Sequence, residues 1–202
     1  VRIVLLLFAG LVVFPFLLRK FAQAIGKAAL DKQPGQIHLQ RQDRAQWTNS
    51  TAADTIARAL AWKGFEDAGC YAITELPEVH LQLFTDTNRS MLANLYEHPK
   101  TGVWFELVTR YEDGTTASFS TLPATGLNPR PGHVQVSAPG LDVSALLDRA
   151  LGERPAKRQV RVRAADAAAL FATGWADHMA WRKRQGISAA EVAQVAKRRK
   201  AA

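Results

Sequence analysis

Only one of the 202 residues is a cysteine, Cys70. A single thiol excludes an internal disulfide and any zinc site built on several cysteines, so packing alone must hold the fold, and a reducing compartment is favoured. The five histidines, His38, His80, His98, His133 and His178, are scattered and lack the i,i+4 spacing of a helical metal pair. The sequence shows no glycine-rich phosphate loop, no G-x-S-x-G elbow and no dinucleotide fingerprint. No catalytic residue, metal, cofactor or small-molecule ligand is expected on these grounds. Cys70 has neither a base nor a cation beside it in sequence, so it reads as a buried structural thiol.

Acidic residues run short at one end. Residues 149–202 carry 13 Lys and Arg against four Asp and Glu, while residues 1–148 carry 13 against 14. The formal net charge of +8 therefore belongs to the C-terminal quarter of the chain. Charge is absent altogether from Ile3 to Leu18, an apolar run bounded by Arg2 and by Arg19-Lys20. As a helix this run spans about 24 Å, just enough to cross a bilayer if flanking Arg and Lys side chains snorkel. Pro15 would kink it, a defect that membrane spans tolerate.

Residues 1–30 are thus expected to be a membrane anchor with a juxtamembrane helix. A cleaved secretory signal is the rival reading, with Ala22-Gln23-Ala24 as its cleavage site, but Arg19-Lys20 lies where such signals avoid positive charge. A buried core helix is a third, and would seldom be apolar on every face. Arg19, Lys20, Lys27 and Lys32 follow the span and only Arg2 precedes it, so the positive-inside rule places the C-terminal side in the cytoplasm. Val1, in an Ala/Arg-rich and lysine-poor chain, fits a GTG start codon of a GC-rich bacterial gene.

Residues 31–48 read as a polar linker broken at Pro34-Gly35. An α+β domain is expected over 49–163. Its first helix should open on a Thr51 to Asp54 capping box, bury Ala53, Ile56, Ala57 and Leu60, and stop at Gly64. Alternation then predicts strands at CYAITEL, VHLQLFT, SMLANLYEH, VWFELVTRY and TTASFSTL, with a two-residue hairpin at Asp113-Gly114. Connections this short predict an antiparallel meander of about five to six strands. In the fourth run Val103, Phe105, Leu107 and Tyr111 oppose Trp104, Glu106, Val108 and Arg110. The first face reads as core, and the second mixes polar groups with Trp104. A short strand HVQVS, a helix capped by Asp142 and ending at Gly152, and an edge strand KRQVRVR complete the domain.

Residues 164–202 are expected to form basic helices, the last opened by a Ser188 to Glu191 capping box. The expected membrane- or partner-binding surface comprises Arg19, Lys20, Trp181, Arg182, Lys183, Arg184, Lys197, Arg198, Arg199 and Lys200. Basic residues beside tryptophan suit anionic lipid or a protein partner. Nucleic acid ranks below these, because an anchor already fixes the tail at a bilayer.

Leu122-Pro123-Ala124-Thr125-Gly126 spells the sorting signal that sortases cleave between Thr and Gly. That signal also needs a following membrane span, and no apolar run follows, so the pentapeptide reads as a loop stiffened by Pro129 and Pro131. The expected whole is a single-pass protein of a bacterial inner membrane with a cytoplasmic binding, scaffold or accessory domain. The alternative is an exported, hydrolase-like enzyme whose site assembles only in three dimensions.

Overall fold

A computed structural model describes residue 24 and residues 26–201. The proposed span and Arg19-Lys20 lie outside the described residues. Among the described residues, no helix is long and apolar enough to cross a membrane.

The chain is α+β. Seven strands form one sheet in sequence order: β1 (Leu39–Gln42), β2 (Glu66–Ile73), β3 (His80–Asp86), β4 (Met91–His98), β5 (Gly102–Arg110), β6 (Thr116–Ser120) and β7 (Val134–Ser137). The helices are α1 (Ser50–Trp62), α2 (Val143–Glu153), α3 (Ala167–Gln185) and α4 (Ala189–Ala201), with a 3-10 turn at Ala164–Asp166. Pairing is antiparallel from β1 to β6. β7 joins β6 in parallel, which the long connection from Ser120 to Val134 permits.

Three expectations are corrected here. The connector contributes β1, whose Leu-Gln-Arg-Gln sequence carries no apolar alternation and which is held by pairing to β2. KRQVRVR makes no strand among the described residues; only a bridge from Gln159 to Tyr111 and the Val160 N–H to Arg110 carbonyl bond tie it to the sheet. The N-cap of α1 is Asn49, not Thr51, because the Asn49 side chain accepts from the Ala52 N–H at 3.2 Å. Glu97, buried on β4, accepts the N–H groups of Thr48 at 2.7 Å and Asn49 at 2.8 Å and so fixes where that helix begins.

Both faces of the sheet are covered over part of their width. On one face Phe84, Met91, Ala93, Leu95, Phe105, Leu107, Ala117 and Phe119 meet Ala53 and Leu60 of α1 and Val143, Leu146, Leu147 and Ala150 of α2. Asp142 caps α2, accepting from the Ala145 N–H at 2.8 Å, and the helix runs one residue past Gly152 before Pro155 ends it. Leu60 and Leu146 are completely buried, each contributing about 1.5–3 kcal/mol by leaving water. On the opposite face Tyr71, Ile73, Leu81, Leu83 and Leu92 meet Val162, Ala167, Leu170, Phe171 and Trp175. The first half of α3 is therefore a structural part of the sheet body.

The chain divides into two compact units. The sheet unit is Gln36–Ala124 with Pro129–Asp177. The other unit gathers Thr125–Asn128 and His178–Ala202 with the described part of Val1–Gly35.

Candidate functional site

The basic helices meet through a buried ion pair. Arg182 on α3 is 3% exposed, and its Nη1 donates to Glu191 Oε1 of α4 at 2.8 Å. Its Nη2 donates to the Asn128 carbonyl. Glu191 closes the expected capping box, accepting from the Ser188 N–H at 2.9 Å and the Ser188 hydroxyl at 2.8 Å, and it also takes the Asn128 N–H at 3.0 Å. Burial alone would raise its carboxyl, but the donors from Ser188, Asn128 and Arg182 outweigh that and hold it down at about 2.

The charge of Arg182 is thus consumed inside this unit, and the side chain faces inward rather than toward lipid or a partner. Trp181 is half-buried, with the Arg182 guanidinium 4.4 Å from its ring centroid. Lys183 and Arg184 are exposed, and Lys183 Nζ donates to the Gln33 carbonyl at 2.8 Å. Lys197 and Arg198 are exposed on α4, and Arg199 and Lys200 continue the same helix. Gly26 is buried where a Cβ would stand 2.9 Å from that of Ile187. The residues that follow the proposed span therefore pack on the turn between α3 and α4. The same unit contains the Thr-Gly step of the sortase-like pentapeptide. Gly126 takes φ +90° and is buried, its α-carbon facing the backbone of Gln194 and Val195.

A second cluster lies on the sheet face that carries α3, in the sheet unit. Strand register sets Asn94 and Tyr96 of β4, Trp104 and Glu106 of β5, and Ser118 of β6 side by side. The half-buried Glu106 accepts the Ser118 hydroxyl at Oε1, and at Oε2 it accepts the Tyr96 hydroxyl at 3.2 Å and the Asn94 amide at 3.4 Å. Tyr96 stacks on Trp104 with centroids 4.9 Å apart and planes 13° from parallel. Burial, then the Glu106 charge, pushes the Tyr96 phenol well above its ordinary range, so it remains a donor. Further along this face Arg110 donates to the Leu170 carbonyl at 2.7 Å and faces Asp177 at 3.6 Å, and Thr116 meets His133 at 2.8 Å.

No protein-family model, curated protein or solved structure matches this chain.

A groove of about 640 Å³ beside α1 and β2 is lined by Asp43, Trp47, Asp54, Asp67 and Cys70 among others. Burial and then the Asp67 charge push the Cys70 thiol up, so it is protonated at neutral pH and a poor nucleophile. The thiol is half-buried at the groove rather than sealed in the core. Among the described residues, no group of His, Cys, Asp and Glu is arranged to hold a metal.

The sequence reading placed Trp104 and Glu106 together on one mixed face but did not bring Asn94, Tyr96 or Ser118 to them. The Asp113-Gly114 signal located the turn but not the register: a two-residue loop would pair Glu112 with Thr115, whereas Arg110 lies opposite Thr116 and Glu106 opposite Ser120.

Proposed function

We propose that this is a single-pass membrane-anchored protein whose α+β body serves as a binding or accessory module on the cytoplasmic side of a bacterial inner membrane. Its basic C-terminal helices rest on anionic lipid in this reading. The observation that carries it is the packing of Gly26 on Ile187 and of Gln33 on Lys183. Residues that leave an apolar, charge-flanked run are tied to the helices holding most of the excess charge. Exposed Lys27 and Lys32 belong to the same unit as exposed Lys183, Arg184, Lys197 and Arg198. Each Lys or Arg held near an anionic leaflet contributes about 1 kcal/mol, so a tether at one end of this group makes the others effective at small entropic cost.

The chemistry of the sheet face suits recognition. Glu106 is held there by three donors from its own fold, and on the α1 side of the sheet the Cys70 thiol is protonated. The sheet unit is accordingly the module that meets a protein or small-ligand partner, with the tail as its lipid contact.

The test uses the full chain. Expected are retention in the membrane pellet after an alkaline carbonate wash, and protection of residues 26–202 from protease added outside intact cells. Trp181 fluorescence in reconstituted vesicles should be quenched by brominated phosphatidylglycerol. Free monomeric chain in detergent-free buffer would refute the anchor. A mature N-terminus at Ile25 would replace this reading with that of an exported enzyme.

A further inference from the structure

Glu106 sits in an unusual electrostatic position for a protein with an excess of basic residues. Among the described residues no Lys, Arg or His lies within ion-pair distance of it. Arg110, on the same face of β5, is committed to the Leu170 carbonyl and Asp177. The partial desolvation of Glu106 is offset by neutral hydrogen-bond donors alone and not by an opposite charge.

Its hydrogen bonding points the same way. A carboxylate offers about four lone-pair positions, and Ser118, Tyr96 and Asn94 fill three of them. Asn94 is 3% exposed, and its amide is oriented with nitrogen toward Glu106, which leaves Oδ1 as a buried acceptor without a partner in the chain. The cluster thus has an open acceptor position on the Glu106 carboxylate, a second at Asn94 Oδ1, and a negative charge with no cation beside it. Beside it stand two stacked aromatic rings, and Trp104, at the outer end of the row, is partly exposed. Aromatic faces attract cations by their quadrupole, and most strongly where water is partly excluded.

We infer that the Glu106, Trp104 and Tyr96 cluster on the second face of the sheet is a binding site for a primary alkylammonium group. The ligand's N–H donors meet the open position of the Glu106 carboxylate, and its positive charge lies against the Trp104 and Tyr96 rings. Ser118 and Asn94 hold the carboxylate in place. A free alkylamine and a lysine side chain share this chemistry.

The experiment follows the Trp104 indole N–H resonance of the full chain in nonionic detergent, assigned by its loss in Trp104→Phe. Butylammonium chloride is titrated against sodium chloride at equal ionic strength. The expected result is a saturable shift with butylammonium, weakened ~10-fold or more in Glu106→Gln. Tetramethylammonium, which has the charge but no N–H, should bind ~10-fold or more weakly than butylammonium. Tighter binding of Nα-acetyl-lysine amide than of butylammonium would assign the natural ligand to a protein lysine, and the reverse order to a free amine. Glu106→Gln should melt near the wild-type temperature, because the amide oxygen still accepts from Tyr96 and Asn94 and the Ser118 hydroxyl can turn to accept from the amide nitrogen. The proposal is overturned if wild type shows no saturable shift, if Glu106→Gln responds like wild type, or if tetramethylammonium binds as well as butylammonium. A Glu106→Gln chain that melts well below wild type would mark the carboxylate as a structural brace and overturn it too. None of these outcomes depends on the membrane anchor.

Discussion

Removing either partner of the Arg182–Glu191 pair should loosen the C-terminal helices, and the two removals should differ. In Glu191→Ala the N–H groups of Ser188 and Asn128 and the Ser188 hydroxyl all lose their acceptor. The Arg182 guanidinium is left at 3% exposure with the Asn128 carbonyl and the Trp181 ring but no counter-ion. Stranding a buried charge in this way costs about 3–5 kcal/mol. In Arg182→Met the apolar stem is kept, and Glu191 retains its three donors from Ser188 and Asn128, so the loss is confined to the guanidinium bonds, about 1–3 kcal/mol. Arg182 Nε, buried and unpartnered, disappears with the substitution and offsets part of that loss. Hydrogen exchange read by mass spectrometry on peptides covering 186–198 measures opening of α4 directly. A gap of ~2 kcal/mol is about a 30-fold gap in protection, larger loss falling on Glu191→Ala. Equal losses, or a larger one for Arg182→Met, would refute the view that Glu191 is the hub of this junction.

The same carboxyl gives a pH dependence. Its folded value of about 2 lies below the ordinary 4.5, so its stabilisation is fully present above that ordinary value and is lost as pH falls through about 2. Exchange of α4 should be flat from pH 8 to 5 after correction for intrinsic rates, and should rise below pH 4 in wild type but not in Glu191→Gln. Glu97→Ala should destabilise the sheet unit by about 2–4 kcal/mol in chemical denaturation, since it strands the Thr48 and Asn49 N–H groups at the start of α1. An effect under about 0.5 kcal/mol would mean that water replaces the carboxylate there. Gly126→Ala should cost more than Gly114→Ala. Both glycines have positive φ, but a Cβ at 126 meets the Val195 nitrogen at 3.1 Å, whereas one at 114 meets nothing within 4 Å. Hydrogen exchange at 194–198 and global melting of the two variants separate them.

How much of this was legible depends on how local the cause is. The alternation in β3, β4 and β5, the Asp142 cap and the Ser188 to Glu191 box each rest on neighbours within a few positions, and each formed as expected, while the Asp113-Gly114 turn formed one residue longer, closed by the Tyr111 N–H to Thr115 carbonyl bond. The Asn49 cap did not read out, because the decisive acceptor is Glu97, far along the chain. β1 has too little apolar periodicity to announce itself, and only the neighbouring β2 makes it a strand. KRQVRVR alternates well, yet nothing in its own sequence tells whether a free strand edge lies within reach. Arg182 looked like one of a row of solvated cations. Its burial follows from Glu191 turning a capping residue into a counter-ion, and a capping motif alone does not say what else its carboxylate will hold. The Glu106 cluster needed three strands in register before its members became neighbours.

The setting of Gly126 bears on any enzyme that reads the Leu-Pro-Ala-Thr-Gly string. Transpeptidases and proteases thread their targets through a cleft as an extended strand, with the scissile carbonyl open to attack from one side. Here the residue after the would-be cut is pressed against the main chain of α4. So long as that helix stays docked, the pentapeptide has the letters of a cleavage signal but not the shape, and it becomes a substrate only in molecules whose last helix has first swung away.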